Sequence, residues 1–158
     1  MQCIQKIVLL FLLSGLLFTT ACKDDDDPAP KTDSEKIASV TWKVTTTFLN
    51  NTALSTDDQA TYANFRITFK VDGSGNPTTY TVTPGEAKRL PNYNSANTGN
   101  WTFSGNTITL KDAQKSSQLT VSGISETGLT LQWELTKVDN QVPPEDEGTW
   151  KMDLVPAQ

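Results

Sequence analysis

Few side chains in this sequence are equipped for chemistry. Histidine is absent altogether, which removes the commonest general base and the commonest metal ligand. Cysteine occurs only as Cys3 and Cys22. Cys22 stands on a seam, with an apolar run before it and Asp24, Asp25, Asp26 and Asp27 just after it. A nucleophilic mechanism would need a serine or threonine activated by a lysine or a carboxylate. No Gly-x-Ser-x-Gly is present, and neither Ser34 nor Ser117 is followed by lysine three residues on. Carboxylates adjoin at Asp57-Asp58 and at Glu145-Asp146-Glu147. The first pair follows Ser55-Thr56 and suits the cap of a helical turn. The second follows Pro143-Pro144 in a spacing unlike a calcium loop, and reads as a solvated acidic loop. We expect no enzyme, no metal and no cofactor.

The aromatic residues are better candidates for binding. Trp42, Tyr80, Trp101, Trp133 and Trp150 all fall on the apolar side of alternating segments. They could line a pocket for a lipid, a pigment or a sugar, or they could simply fill the interior. Large apolar residues dominate those faces and small ones are rare, which favours a filled interior. A second candidate is the segment Pro84 to Asn100 (PGEAKRLPNYNSANTGN), long for a connection between strands. Lys88, Arg89, Asn92, Tyr93 and Asn94 give it hydrogen-bond donors and an aromatic platform. Asn50 to Asn64 would lie near it as a partial lid.

The elements that must position these residues are strands. Val40, Trp42, Val44 and Phe48 alternate with Thr41, Lys43, Thr45 and Thr47, the pattern of a strand with one buried and one wet face. The same period recurs around Phe65–Phe69, Tyr80–Val82, Trp101–Phe103, Ile108–Leu110, Leu119–Val121, Leu129–Leu135 and Trp150–Leu154. Turn chemistry separates them at Asp72–Pro77, Ser104-Gly105-Asn106 and Ser125–Gly128. Before the first strand, Lys31–Ser39 suits one helical turn capped by Asp33 or Ser34. Eight one-faced strands in sequential order bury those faces best by curling into an antiparallel up-and-down barrel, which also removes exposed edges. A two-sheet β-sandwich is the alternative. With a net charge of −5 and no basic stripe with interleaved aromatics, nucleic acid is not an expected partner.

The N-terminus is of another kind. Lys6 precedes the apolar run Ile7–Phe18. As a helix that run reaches roughly 18 Å, against a hydrocarbon core of about 30 Å, so it reads as the apolar region of a signal peptide. Thr20-Ala21-Cys22 after it resembles a bacterial lipobox, and Lys23-Asp24-Asp25-Asp26-Asp27 resembles the export signal of Bacteroidota surface lipoproteins. The resemblance implies that residues 1–21 are removed and that Cys22 is acylated. It also implies that the protein is held at the outer membrane, facing the cell exterior. Two or more acyl chains anchor stably where one does not. Residues 22–34 then form an acidic linker, and residues 35–158 the domain.

A second resemblance lies within that domain. GNWTFSGNTITL (residues 99–110), LTVSGISETGLTLQWEL (residues 119–135), Val40–Val44 and FRITFKVDGSG (residues 65–75) are similar to the lipocalin-like domains of such lipoproteins. The resemblance implies an eight-stranded lipocalin-like barrel that binds a small apolar molecule inside or a glycan at its mouth. The alternative is a protein–protein interaction module: an accessory subunit of an outer-membrane uptake complex, or an inhibitor of a secreted enzyme.

Overall fold

The computed structural model describes residues 29–83, 97–113, 115–136 and 146–158. A compact unit spans Lys31–Gln158. It opens with a short helix α1 (Asp33–Ile37), followed by β1 (Thr41–Leu49), β2 (Thr52–Ala53) and a second short helix α2 (Thr56–Ala60). Seven strands complete it: β3 (Arg66–Val71), β4 (Pro77–Thr83), β5 (Thr98–Ser104), β6 (Thr107–Lys111), β7 (Ser116–Ser122), β8 (Leu129–Leu135) and β9 (Gly148–Pro156).

Every strand pairs antiparallel with its neighbours, and β9 pairs back onto β1. The result is a closed eight-stranded antiparallel barrel with β2 as an extra strand on β1, consistent with a lipocalin-like barrel. Apolar positions at every second residue explain the closure. Trp42, Ile67, Phe69, Ile108, Leu110, Leu119, Leu131, Trp150 and Met152 are all buried on the inner face. Their alternate neighbours on β4 to β8 are largely threonine, serine, glutamine and asparagine.

The turns follow their sequences. Gly105 at φ 60° takes the first central position between Ser104 and Thr107, as a type II′ hairpin requires. Asn50 and Asn51, at φ 51° and 64°, link Leu49 to Thr52. Two successive left-handed residues are the mark of a type I′ turn. In the β3–β4 turn, Asp72 Oδ1 accepts from the backbone N–H groups of Ser74 and Asn76 at 2.8 and 3.0 Å.

Two details differ from the sequence expectation. The register of β1 against β9 shifts between Val44 and Thr46. This bulge reverses the parity of the strand: Thr47 turns inward, fully buried opposite Met152, while Phe48 turns outward opposite Lys151. The Lys151 ammonium lies 3.8 Å from the centroid of the Phe48 ring, a cation–π contact that covers the displaced aromatic. The cap of α1 is Thr32 rather than Asp33 or Ser34. Its side chain accepts from the N–H of Glu35 while Glu35 accepts from the N–H of Thr32 at 2.7 Å, a full capping box.

The register gives the barrel two unlike ends. One carries α1, the β3–β4, β5–β6 and β7–β8 turns, and the end of β9. There Ile37 is buried and its carbonyl accepts from Trp42 Nε1 at 2.7 Å, so α1 closes that end. At the other end lie the β1–β2 turn, α2 and the β6–β7 connection, and the chain leaves the described residues after Thr83 and after Thr136. We call these the closed end and the loop end.

Candidate functional site

The four tryptophans project into the interior at different depths. Trp42 sits under α1. Trp101, opposite Leu110, packs its ring 4.9 Å from that of Phe69 and donates from Nε1 to the carbonyl of Lys70 at 2.7 Å. That carbonyl lies where the β3–β4 register shifts between Phe69 and Val71, and it also accepts from Thr78 Oγ1 at 3.0 Å. A bulge thus presents a backbone acceptor to an indole that would otherwise be buried unpaired. Trp150 donates to the carbonyl of Asp146 at 2.8 Å. Asp146 is itself buried, so this part of the acidic segment belongs to the packed structure rather than to a solvated loop.

Trp133 differs. It faces Trp150 directly across β8 and β9, with ring centroids 6.4 Å apart and planes 15° from parallel. It is 4% exposed, against 0–1% for the other three. Its Nε1 is enclosed and has no hydrogen-bond partner. The pair lies in the loop-end half of the barrel, two residue pairs inside the final Leu135–Gly148 pairing. Tyr80 is buried on the same inner face, opposite Gly99.

Thr47 is the residue that sequence reasoning missed. Thr45-Thr46-Thr47 carries no parity signal, because three identical residues cannot show which one faces inward. Thr47 is fully buried and its hydroxyl has no partner. Its backbone is better provided. Gln59 Nε2 donates to the Thr47 carbonyl at 2.8 Å, and Gln59 Oε1 accepts from the Thr47 N–H at 2.9 Å. The side-chain amide thus supplies the acceptor for the Thr47 N–H and shares the Thr47 carbonyl with the N–H of Leu54, 3.0 Å away, just beyond β2. The helical turn expected beside Asp57-Asp58 is α2, but its cap is Ser55, which accepts from the Asp58 N–H, while the two carboxylates lie in the first turn. Just beyond α2, Tyr62 and Phe65 enter the core at the loop end, so this segment covers part of that end.

Among the described residues Thr47 and Asp146 are the buried polar or charged ones, and no lysine or arginine is buried. Where β5 begins and β6 ends, an open groove of about 420 Å³ is lined by Gly99, Asn100, Lys111 and Asp112. Cys22, Lys23, Asp24, Asp25, Asp26, Asp27, Arg89 and Tyr93 lie outside the described residues. The structure therefore brings together Trp133 and Trp150 directly, and places Trp42 and Trp101 separately, each on its own backbone acceptor.

A family model described as a domain of unknown function, DUF5004, matches residues 18–144. The chain belongs to the DUF5004 family. No curated protein matches the sequence. The DUF5004 match ends before β9, although β9 closes the barrel by pairing with both β8 and β1.

Proposed function

We propose that this DUF5004 protein is a non-enzymatic binding module, held at the outer surface of the cell by lipid on Cys22, whose binding end is the loop end. The ligand is a small apolar molecule that buries against Trp133 and Trp150. The observation that carries the reading is the asymmetry of the barrel. One end is closed by α1 with Trp42 bonded beneath it, whereas the half toward the other end holds the stacked Trp133–Trp150 pair. Ligand sites in barrels are built at their mouths, from apolar walls with few polar groups. The absence of histidine from the sequence and the lack of a nucleophile motif support a binding role over catalysis.

A second reading is favoured by the packing of the interior. Trp42, Trp101 and Trp150 are almost fully buried, and each donates to a backbone carbonyl. An eight-stranded barrel can be filled by its own side chains, and such a barrel would present the loop end to a protein partner instead. Titration with apolar compounds separates the two. A ligand in the barrel changes tryptophan emission and raises the melting temperature, since binding to the folded state alone adds about 2.7 kcal/mol at a hundredfold excess over the dissociation constant. If a broad apolar set moves neither readout, and a surface protein is recovered that needs residues 88–95, the partner reading replaces the ligand reading.

A further inference from the structure

We infer that Trp133 Nε1 and Thr47 Oγ1 form a hydrogen-bonding station for the oxygen of an uncharged apolar guest. The inference rests on the ligand reading above and names the chemistry that the site selects. Both atoms are enclosed and without partners, whereas most buried polar side-chain atoms in folded proteins are paired. The other three indoles in the same interior each have a backbone acceptor.

Their placement is also specific. Trp133 pairs with Trp150 on one side of β9, and Thr47 pairs with Met152 on the other. On the inner face the two are separated by two strand spacings, about 10 Å, and by one two-residue step, about 7 Å. An indole and a threonine side chain each span part of that gap. The indole can only donate, and the hydroxyl can donate or accept. A ketone, ester or amide oxygen has two lone pairs and no proton, so it can accept from either donor.

Charge narrows the class further. No lysine or arginine is buried among the described residues, so a carboxylate at this station would be buried without a cation, which is far costlier than burying a neutral carbonyl. Both atoms are closed off from solvent, so the guest enters by parting the Trp133–Trp150 stack, at the tryptophan that is already the most exposed of the four.

The test uses matched probes on the folded domain: benzophenone against diphenylmethane, and a long-chain 2-alkanone against the alkane of equal length. The ketones should bind about tenfold tighter than the hydrocarbons, which is about 1.4 kcal/mol. The 4-benzoylbenzoate anion should bind more weakly than benzophenone. Trp133→Phe should erase the ketone preference while leaving hydrocarbon affinity in place, and Thr47→Val should reduce it. Without any probe, Thr47→Val should melt at or above the parent, because it removes an unpaired buried hydroxyl at nearly constant volume, whereas Trp133→Phe also opens a small cavity and is read by its ketone preference alone. Ketones and hydrocarbons binding alike, a preference that survives both substitutions, or a lower melting temperature for Thr47→Val would each overturn the station while sparing the ligand reading. If neither ketones nor hydrocarbons bind the folded domain, the ligand reading falls and the station falls with it.

Discussion

Single residues decide where the barrel wall can pass close to itself. Gly99 is the sharpest case. A Cβ built there would lie 2.8 Å from Cε1 of Tyr80 and closer still to the carbonyl oxygen of Lys111. The aromatic ring of Tyr80 thus packs over a glycine on the paired strand, and the β6 backbone closes the remaining space. Gly99→Ala should lower stability by about 1–3 kcal/mol, the usual cost of overpacking, read as a drop in the urea midpoint. Gly73→Ala is the control. Nothing lies within 4 Å of its Cβ position, so that substitution should stay within about 0.5 kcal/mol of the parent. Equal midpoints for the two variants would mean that the approach of Tyr80 and Lys111 is not tight. The sequence marked Gly99 as part of a recurrent hairpin pattern. The reason for it, a cross-strand ring and a carbonyl, depends on register and could not be read from the residue alone.

Elements were legible wherever alternation was clean. Seven of the eight barrel strands lie where period two with turn residues between placed them, because one-faced apolar strands leave few alternatives. The first strand was placed correctly but its far half was turned over, since the bulge sits among identical threonines. The two-residue β2 gave no periodic signal at all. Three carboxylates on closed-end elements show how those pieces are fastened. Glu35 of α1 is held below the usual carboxylate range, first by the N–H of Thr32 and then by its hydroxyl. Asp72 is lowered by the side-chain amide and N–H of Asn76 and by the N–H of Ser74. Glu126, on the β7–β8 turn, is lowered by Lys31, 2.6 Å away. A carboxylate whose pKa is depressed on folding contributes stability above its unfolded value and loses that contribution as pH falls through the folded value. All three groups are exposed, so each effect is small and salt-screened. Acidification below about pH 4 should therefore loosen the closed end before the β8–β9 pairing. Hydrogen-exchange protection of Lys36 in α1 and of Ala38, its C-cap, should fall first, after correction for intrinsic rates. In Glu35→Gln that fall should flatten, since the amide oxygen accepts at every pH. Simultaneous loss of protection in α1 and β9 would rule out this order.

At the scale of the whole molecule, connectivity joins the N-terminal seam to the barrel. The compact unit begins at Lys31, directly before the helix that covers the closed end. The chain therefore enters the compact unit beside the helix of the closed end, and the proposed lipid on Cys22 would act through that entry. The proposed anchor would thus join the unit at the end away from Trp133 and Trp150. The proposed tether rests on resemblance, because a run of aspartates is by itself a solvated linker. Two substitutions test the proposed anchoring in the native cell. Cys22→Ser should abolish acylation and release the protein from the membrane fraction. Replacing Asp24–Asp27 with alanine should leave Cys22 acylated, by mass spectrometry of the mature N-terminus, while removing the protein from the outer face. A membrane-impermeant lysine reagent should then label it on intact cells far less than the parent, with labelling restored on lysis. Undiminished labelling of intact cells would show that the aspartates serve only as a spacer, and an unmodified Cys22 in the parent would remove the lipid anchor from the proposal.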